Sequence, residues 1–173
     1  MKDINLDNGY SIKELSLNNK GDISTLYKKC LDYYLMHYET TDINIEEDAN
    51  DLFFSLPANK NYKDKFILGI FNKLNELVGV IDIVRDFPED NEWIIGLMLI
   101  EPKERNKNLG KIVHNALVNF TKPLGAKSFR IGVINENIIG KKFWSSLGYK
   151  KIKEVNMNFK GVSKIVNVMT LKF

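Results

Sequence analysis

The stretch from Trp93 to Ile134 limits the possible folds more than any other part of the chain. It opens with Trp93–Ile100, a run so apolar that both faces need cover, as for a strand in the middle of a sheet. The chain then passes through Ile100–Lys111 into a helix. Its apolar positions Leu109, Ile112, Val113, Ala116, Leu117, Phe120 and Leu124 follow the three-four spacing of a single helical face. Pro123 and Gly125 end that helix, and Ser128–Ile134 is the next strand. The result is a β-α-β unit, which crosses over right-handedly wherever its two strands are parallel neighbours.

The flanking segments build outward from this unit. Tyr10–Leu17 reads as a short strand. Asp22–Tyr38 reads as a helix, with Ile23, Leu26, Tyr27, Cys30, Leu31, Tyr34 and Leu35 along one face. A second helix starts at Asn44 with Glu47 as its capping partner, and Pro57 stops it. Lys65–Phe71 and Leu77–Val84 form an antiparallel hairpin about the turn Asn72–Glu76. After the unit come a helix over Asn137–Leu147, closed by Gly148, and strands over Tyr149–Phe159 and Lys164–Phe173. The expected class is α+β, or mixed α/β. One domain, 1–173, carries a central mixed, mostly antiparallel sheet of about seven strands with four helices.

Composition narrows the function classes. With 173 residues, 44% hydrophobic and 27% charged, the chain suits one globular domain with a proper core. It has no apolar run that spans a bilayer, and MKDINLDNGY lacks the apolar centre of a signal peptide, so the expectation is cytoplasmic with no membrane partner. The single cysteine, Cys30, sits in an apolar stripe and fits a reducing compartment. Two histidines and one cysteine make a poor zinc set, and no metal is expected. The 25 basic residues are interspersed with 22 acidic ones, net +3, with no basic stripe interleaved with aromatics; no nucleic-acid partner is expected. The edges of the final strands invite pairing and leave a homodimer open.

The chemistry concentrates in Ile100–Lys111. First-turn amides of a helix have no intrahelical acceptors, and the helix dipole adds partial positive charge at the same place. A glycine there lets a phosphate approach the backbone, and Arg105, Lys107 and Lys111 add charge. On these residues alone, an anion site and an ordinary basic loop both remain open.

Arg105-x-x-Asn108-x-Gly110, with Pro102 ahead of it, resembles the Gln/Arg-x-x-Gly-x-Gly/Ala motif of the GCN5-related N-acetyltransferases. Asn137-x-x-Gly140-x-x-Phe143-Trp144-x-x-Leu147-Gly148-Tyr149 is similar to the second signature of that family, and the order of elements agrees over almost the whole chain. The resemblance implies acetyl-CoA as acyl donor, an amine as acceptor, and direct transfer within a ternary complex. It implies a splayed parallel pair at the centre of the sheet. The backbone of Met98, Leu99 and Ile100 would then hold the pantetheine arm. The amides of Arg105, Asn106, Lys107, Asn108, Leu109, Gly110 and Lys111 would hold the pyrophosphate. Asn137 would reach the arm from the other side, with Phe143 and Trp144 packed near it. Leu99, or a neighbour on the bulged strand, would donate its amide to the developing oxyanion. Gly96, inside the central strand, marks either the bulge that opens the pair or simple packing under a bulky neighbour.

Two positions depart from the family pattern. Asn108 replaces a glycine, and asparagine is among the few side chains that tolerate left-handed backbone angles. Trp144 stands where many members carry a tyrosine that protonates the leaving thiolate; indole is no usable acid, although a thiol pKa of about 8.5 allows unaided departure. These departures keep a second reading in play, a CoA-binding module without turnover.

An alkylammonium must lose a proton before it attacks. The segment Asp82–Glu92 is rich in carboxylates. Strand alternation puts Asp82 on the apolar face with Val78, Val80 and Val84. Either Asp82 and Glu92 face the acceptor and relay its proton, with Asp86 beside them, or Asp82 pairs with a nearby cation and the rest is a solvated loop. Tyr34, His37 and Tyr38 are further candidates for the acceptor side, while His114 reads as a solvent-facing or edge residue.

Overall fold

The computed structural model describes residues 3–173. Its strands are β1 Ile4–Asn5, β2 Ser11–Glu14, β3 Lys65–Phe71, β4 Leu77–Val84, β5 Glu92–Ile100, β6 Ser128–Ile134, β7 Lys150–Phe159 and β8 Val162–Lys172. Its helices are α1 Lys20–Lys29, α2 Leu31–Tyr38, α3 Ile45–Phe54, α4 Leu109–Thr121 and α5 Ile138–Ser146. The strands form one sheet in the order β1-β2-β3-β4-β5-β6-β8-β7. Among the described residues only β5 and β6 pair in parallel, so the sheet is mixed and mostly antiparallel, as expected.

The counts differ from the expected seven strands and four helices for two local reasons. Ile4–Asn5 adds a two-residue strand against β2. The helix expected over Asp22–Tyr38 breaks at Cys30 (φ −111°, ψ 39°) into α1 and α2. The apolar face runs on through the break, because Ile23, Leu26, Tyr27, Cys30 and Tyr34 all stay in one buried cluster. Periodicity alone therefore could not reveal it.

Each face of the sheet is covered, which explains the apolar composition of β5. On one face α4 places Leu109, Val113 and Leu117 against Trp93, Ile95 and Phe129. On the other, α1, α2 and α3 cover Ile67, Val80 and Leu99 with Leu26, Tyr34 and Leu52. The β3–β4 register shifts next to Phe71, so Val78 packs toward α4 while Val80 packs toward α1. Val78 thus does not share a face with Val80, contrary to simple alternation. His114 is corrected as well: it lies 2% exposed on α4, with its Nε2 3.1 Å from the Tyr149 hydroxyl.

The outer strand β7 carries Lys150, Lys151 and Lys153, a pattern that blunts edge-to-edge pairing. Among the described residues no helix is long and apolar enough to cross a membrane.

Candidate active site

The β5–β6 pairing runs from Glu92↔Ser128 to Ile95↔Ile131 and then stops. Beyond that point β6 continues against β8 through Ile134, and β5 continues against β4 through Ile100. The C-terminal halves of the two central strands have therefore parted. The cause is local. The β4–β5 register jumps from Ile83↔Ile95 to Asp82↔Leu97, which leaves Gly96 as an extra residue. A bulge of this kind bends its strand and ends local pairing. A Cβ on Gly96 would lie 3.3 Å from Asp82 Oδ2, so glycine lets β4 and β5 stay close at the bend.

Past the bulge, alternation decides which amides face the gap. Glu101 N–H donates to Val78 O at 2.9 Å, and Val80 is opposite Leu99 in the same register. The Leu99 carbonyl likewise points at β4, where it would come 2.8 Å from a Cβ on Gly79. Leu99 therefore spends its backbone groups on β4. The main-chain groups of Met98 and Ile100 face the opening. Of the expected set Met98, Leu99 and Ile100, it is therefore Met98 and Ile100 whose main chain borders the opening, while that of Leu99 lies against β4.

The turn after β5 is held open by its own contacts. Arg105 donates Nε to Ile100 O at 2.7 Å and pairs its guanidinium with Asp32 on α2. Its amide donates to Pro102 O at 3.2 Å, so Arg105 brings no free amide, unlike the rest of the expected set. Lys107 reaches Glu104 at 3.2 Å, and Tyr10 donates to the same carboxylate at 2.8 Å. Asn106 and Asn108 both adopt left-handed angles, φ 61° and φ 63°. Asparagine at 108 thus takes the conformation a glycine would. The first amide to find a helical acceptor is that of Ile112, which donates to Asn108 O at 3.2 Å. The Leu109, Gly110 and Lys111 amides precede it at the helix N-terminus, and Lys111 is exposed.

The opposite wall comes from α5. Asn137 caps that helix by accepting the Gly140 amide at 2.7 Å. Phe143 lies across the start of α4, where a Cβ on Gly110 would sit 3.1 Å from its ring. Trp144 turns instead toward Phe143, Tyr149 and His114, with ring centroids 4.9, 5.1 and 6.0 Å away.

The carboxylates separate into two groups. Asp82 stands at the bulge, 2.7 Å from the Lys65 ammonium, with exposures of 17% and 3%. Its other oxygen, Oδ1, is buried without a hydrogen-bond partner. Burial raises the Asp82 pKa, and Lys65 pulls it back. Glu92 and Asp86 lie at the closed end of the parallel pair. Glu92 pairs with Arg130 at 2.8 Å, and Asp86 accepts the Asn91 amide at 3.0 Å. From Glu92 to Met98 is roughly 20 Å along the strand, so the structure does not bring Glu92 or Asp86 to the opening.

A cavity of about 220 Å³ is lined by Tyr27, Tyr33, Tyr34, Tyr38, Asp48, Asp51 and Leu97, among others. It brings the expected Tyr34 and Tyr38 together with Asp48 and Asp51, whose meeting no feature of the sequence links. His37 stacks on Tyr33 at 4.0 Å with Nδ1 2.8 Å from Tyr33 O, and burial lowers its pKa. Among the described residues no three His, Cys, Asp or Glu side chains are grouped to hold a metal ion.

Comparison with known proteins agrees with this geometry. A family model described as Acetyltransferase (GNAT) domain matches residues 23–167. A search of curated sequences gives no significant match. Among solved structures, a Salmonella typhimurium acetyl transferase that modifies the N-terminal serine of ribosomal protein L7/L12 superposes with TM-score 0.81 at 13% identity, covering 99% of each chain. The microcin C7 self-immunity acetyltransferase, solved with acetyl-CoA and AMP, gives 0.76 at 17% identity over 96% of this chain and 94% of its own. A Vibrio cholerae spermidine N-acetyltransferase, solved with CoA and spermine, gives 0.72 at 11% identity over 95% of each. At these identities the structures speak for the fold, and the family model supplies the rest: this chain, with its parted central strands and amide-rich turn, belongs to the GNAT acetyltransferase family.

Proposed function

We propose that this protein moves an acetyl group from acetyl-CoA to a primary amine directly, in a ternary complex. The observation that carries this reading is the end of β5–β6 pairing at Ile95↔Ile131, next to the bulge at Gly96. The opening so formed exposes strand-like main-chain donors beside a helix N-terminus, which suits a pantetheine arm joined to a pyrophosphate.

Acetyl-CoA supplies the acyl carbon and a sulfur leaving group. Met98 and Ile100 present backbone groups to the arm. The amides from Asn106 to Lys111 hold the pyrophosphate, with Lys111 charge alongside. Gly110 gives the close approach, and Phe143 supports it from behind. Asn137 keeps its amide nitrogen for the arm while its oxygen caps α5. The Met98 amide faces the carbonyl oxygen that gains charge as the amine attacks.

Asp82 relays the amine's proton, directly or through water. Its burial raises the pKa toward the working range of a base, and its Oδ1 has no other partner. The balance is simple: the ammonium passes one proton through Asp82 to solvent before attack and loses a second to solvent once the N–C bond forms. The C–S bond breaks with its electron pair on sulfur, which later takes up a proton from solvent. Trp144 donates no proton here, so the thiolate leaves unaided. The free, buried Cys30 supports a reducing, cytoplasmic setting.

Calorimetric titration with acetyl-CoA, followed by thiol release with a panel of amines, tests the reading. Amine-dependent thiol release is expected. Binding with no release from any amine would instead make the chain a CoA-binding module.

A further inference from the structure

The cavity lined by Leu97 lies against the turn between β7 and β8. Its walls combine tyrosine faces with the carboxylates of Asp48 and Asp51, a pairing that selects cations. Lys160, from that turn, is the cation it holds. The Lys160 ammonium is paired with Asp48 and stands 5.6 Å from the centre of the Tyr38 ring. The Asp48 side chain is 10% exposed and that of Lys160 is 44% exposed. An accessible stem thus delivers an ammonium to a buried carboxylate.

The backbone of the turn is unusual for a lysine. Phe159 pairs with Val162, so Lys160 and Gly161 form a two-residue turn, and both have positive φ (49° and 95°). Asparagine and glycine are the residues such a turn favours. Lysine accepts the left-handed conformation here and places its ammonium at Asp48. Lys164, which reaches Glu39 at 2.6 Å, fastens the same hairpin over α2. The cavity also touches the chemistry: Leu97 follows the Gly96 bulge and precedes Met98, whose amide faces the opening.

We propose that this cavity is the acceptor subsite, and that its ligand is a primary alkylammonium on an unbranched methylene stem, for which Lys160 stands in. The proposal rests on the acetyl-transfer reading above and narrows its acceptor. An incoming ammonium displaces Lys160 from Asp48 and lays its stem between the tyrosine faces, and it leaves Asp48 for Asp82 before it gives up its proton and attacks. Lys160 moves out to solvent, where its stem already lies. A free diamine and the side chain of a peptide lysine share this chemistry. An N-terminal α-amine, set directly on a branched carbon, does not.

The test uses calorimetry on the whole chain, with wild type, Lys160→Ala and Asp48→Asn, each checked for folding by thermal unfolding. The titrants are 1,4-diaminobutane, a peptide with one lysine and a blocked N-terminus, and a lysine-free peptide with a free N-terminal serine. Acetyl-CoA is titrated separately. Lys160→Ala is expected to bind the diamine or the lysine peptide about fivefold more tightly than wild type, since a tethered, half-exposed competitor is gone. Asp48→Asn is expected to weaken the same ligand about tenfold. The tighter of the two identifies the source. Unchanged or weaker binding to Lys160→Ala overturns the proposal, as does a serine N-terminus that binds as well as either alkylamine. Loss of acetyl-CoA binding with the alkylamine pattern intact would support the cation site and overturn the acyl-transfer reading instead.

Discussion

Asp82 and Gly96 meet across β4 and β5 at the point where the central strands part, and a Cβ on Gly96 would lie 3.3 Å from Asp82 Oδ2. The same close approach joins two properties. It keeps β5 against β4 while β5 bends away from β6, and it places the Asp82 carboxylate at the apex of the opening.

Gly96→Val should therefore damage both structure and activity. A branched side chain forced toward the Asp82 carboxylate costs about 2 kcal/mol of stability, in the range for overpacked sites. Urea unfolding measures that loss. Acetyl-CoA affinity should fall at least about tenfold, because bulge and opening share a cause. A variant that is destabilised but binds acetyl-CoA normally would separate the bulge from the binding site.

The Asp82–Lys65 pair sets a pH prediction. Burial raises the Asp82 pKa and Lys65 opposes it. Lys65→Met removes the opposition, so the acid limb of kcat/KM should move to higher pH. Asp82→Asn should abolish that limb and lower kcat/KM about a hundredfold, the lower range for losing a general base. Stability follows the same sign. A raised carboxyl pKa favours the fold below the unfolded value, and this contribution is lost as pH rises through the folded value. The Asn variant should lack that part of the pH slope. An unchanged pH–rate profile in Asp82→Asn would exclude Asp82 from the proton path.

The parts legible in the sequence were those set by neighbours in the chain. Gly96 could be read either as a bulge or as simple packing under a bulky neighbour, and only the β4–β5 register decides for the bulge; Asn108 was readable as a left-handed turn residue because its side chain tolerates φ near 63°. The helix of the β-α-β unit followed from spacing alone. What was not legible depends on partners far away. The pairing of Glu92 with Arg130 spans 38 residues, and that of Lys160 with Asp48 spans 112. The placement of the Leu99 backbone against β4 depends on the bulge, which resets which amides face β4, and the Cys30 break left no trace in an apolar face that continues through it.

Gly110 and Phe143 allow a cleaner test of the phosphate turn. A Cβ on Gly110 would lie 3.1 Å from two atoms of the Phe143 ring, tighter than ordinary packing allows. Gly110→Ala should thus shift either the ring or the first turn of α4, and raise KM for acetyl-CoA several-fold with little change in kcat. Combining it with Phe143→Leu, which leaves room for the methyl group, should recover part of the loss. Equal KM values for the single and double variants would show that crowding against Phe143 is not the cause.

His114 offers a prediction about stability that is separate from catalysis. It is 2% exposed, its Nε2 meets the Tyr149 hydroxyl at 3.1 Å, and it packs against Phe129 and Trp144. Burial lowers its pKa, and burial lowers that of His37 in the same direction. A depressed histidine pKa means the unfolded chain binds protons that the folded chain refuses. Stability is then fullest above about pH 6.5, the unfolded histidine value, and is lost as pH falls through the folded values. Urea unfolding at pH 7.5 and pH 5.5 should show this loss in the wild type. His114→Gln keeps a polar group near Tyr149 and cannot take up the proton. It should cost about 1 kcal/mol at the higher pH for the altered hydrogen bond, yet lose less than the wild type between the two. His37 should account for what acid sensitivity remains. If the Gln variant loses as much stability as the wild type, His114 is not one of the groups whose protonation opens this core.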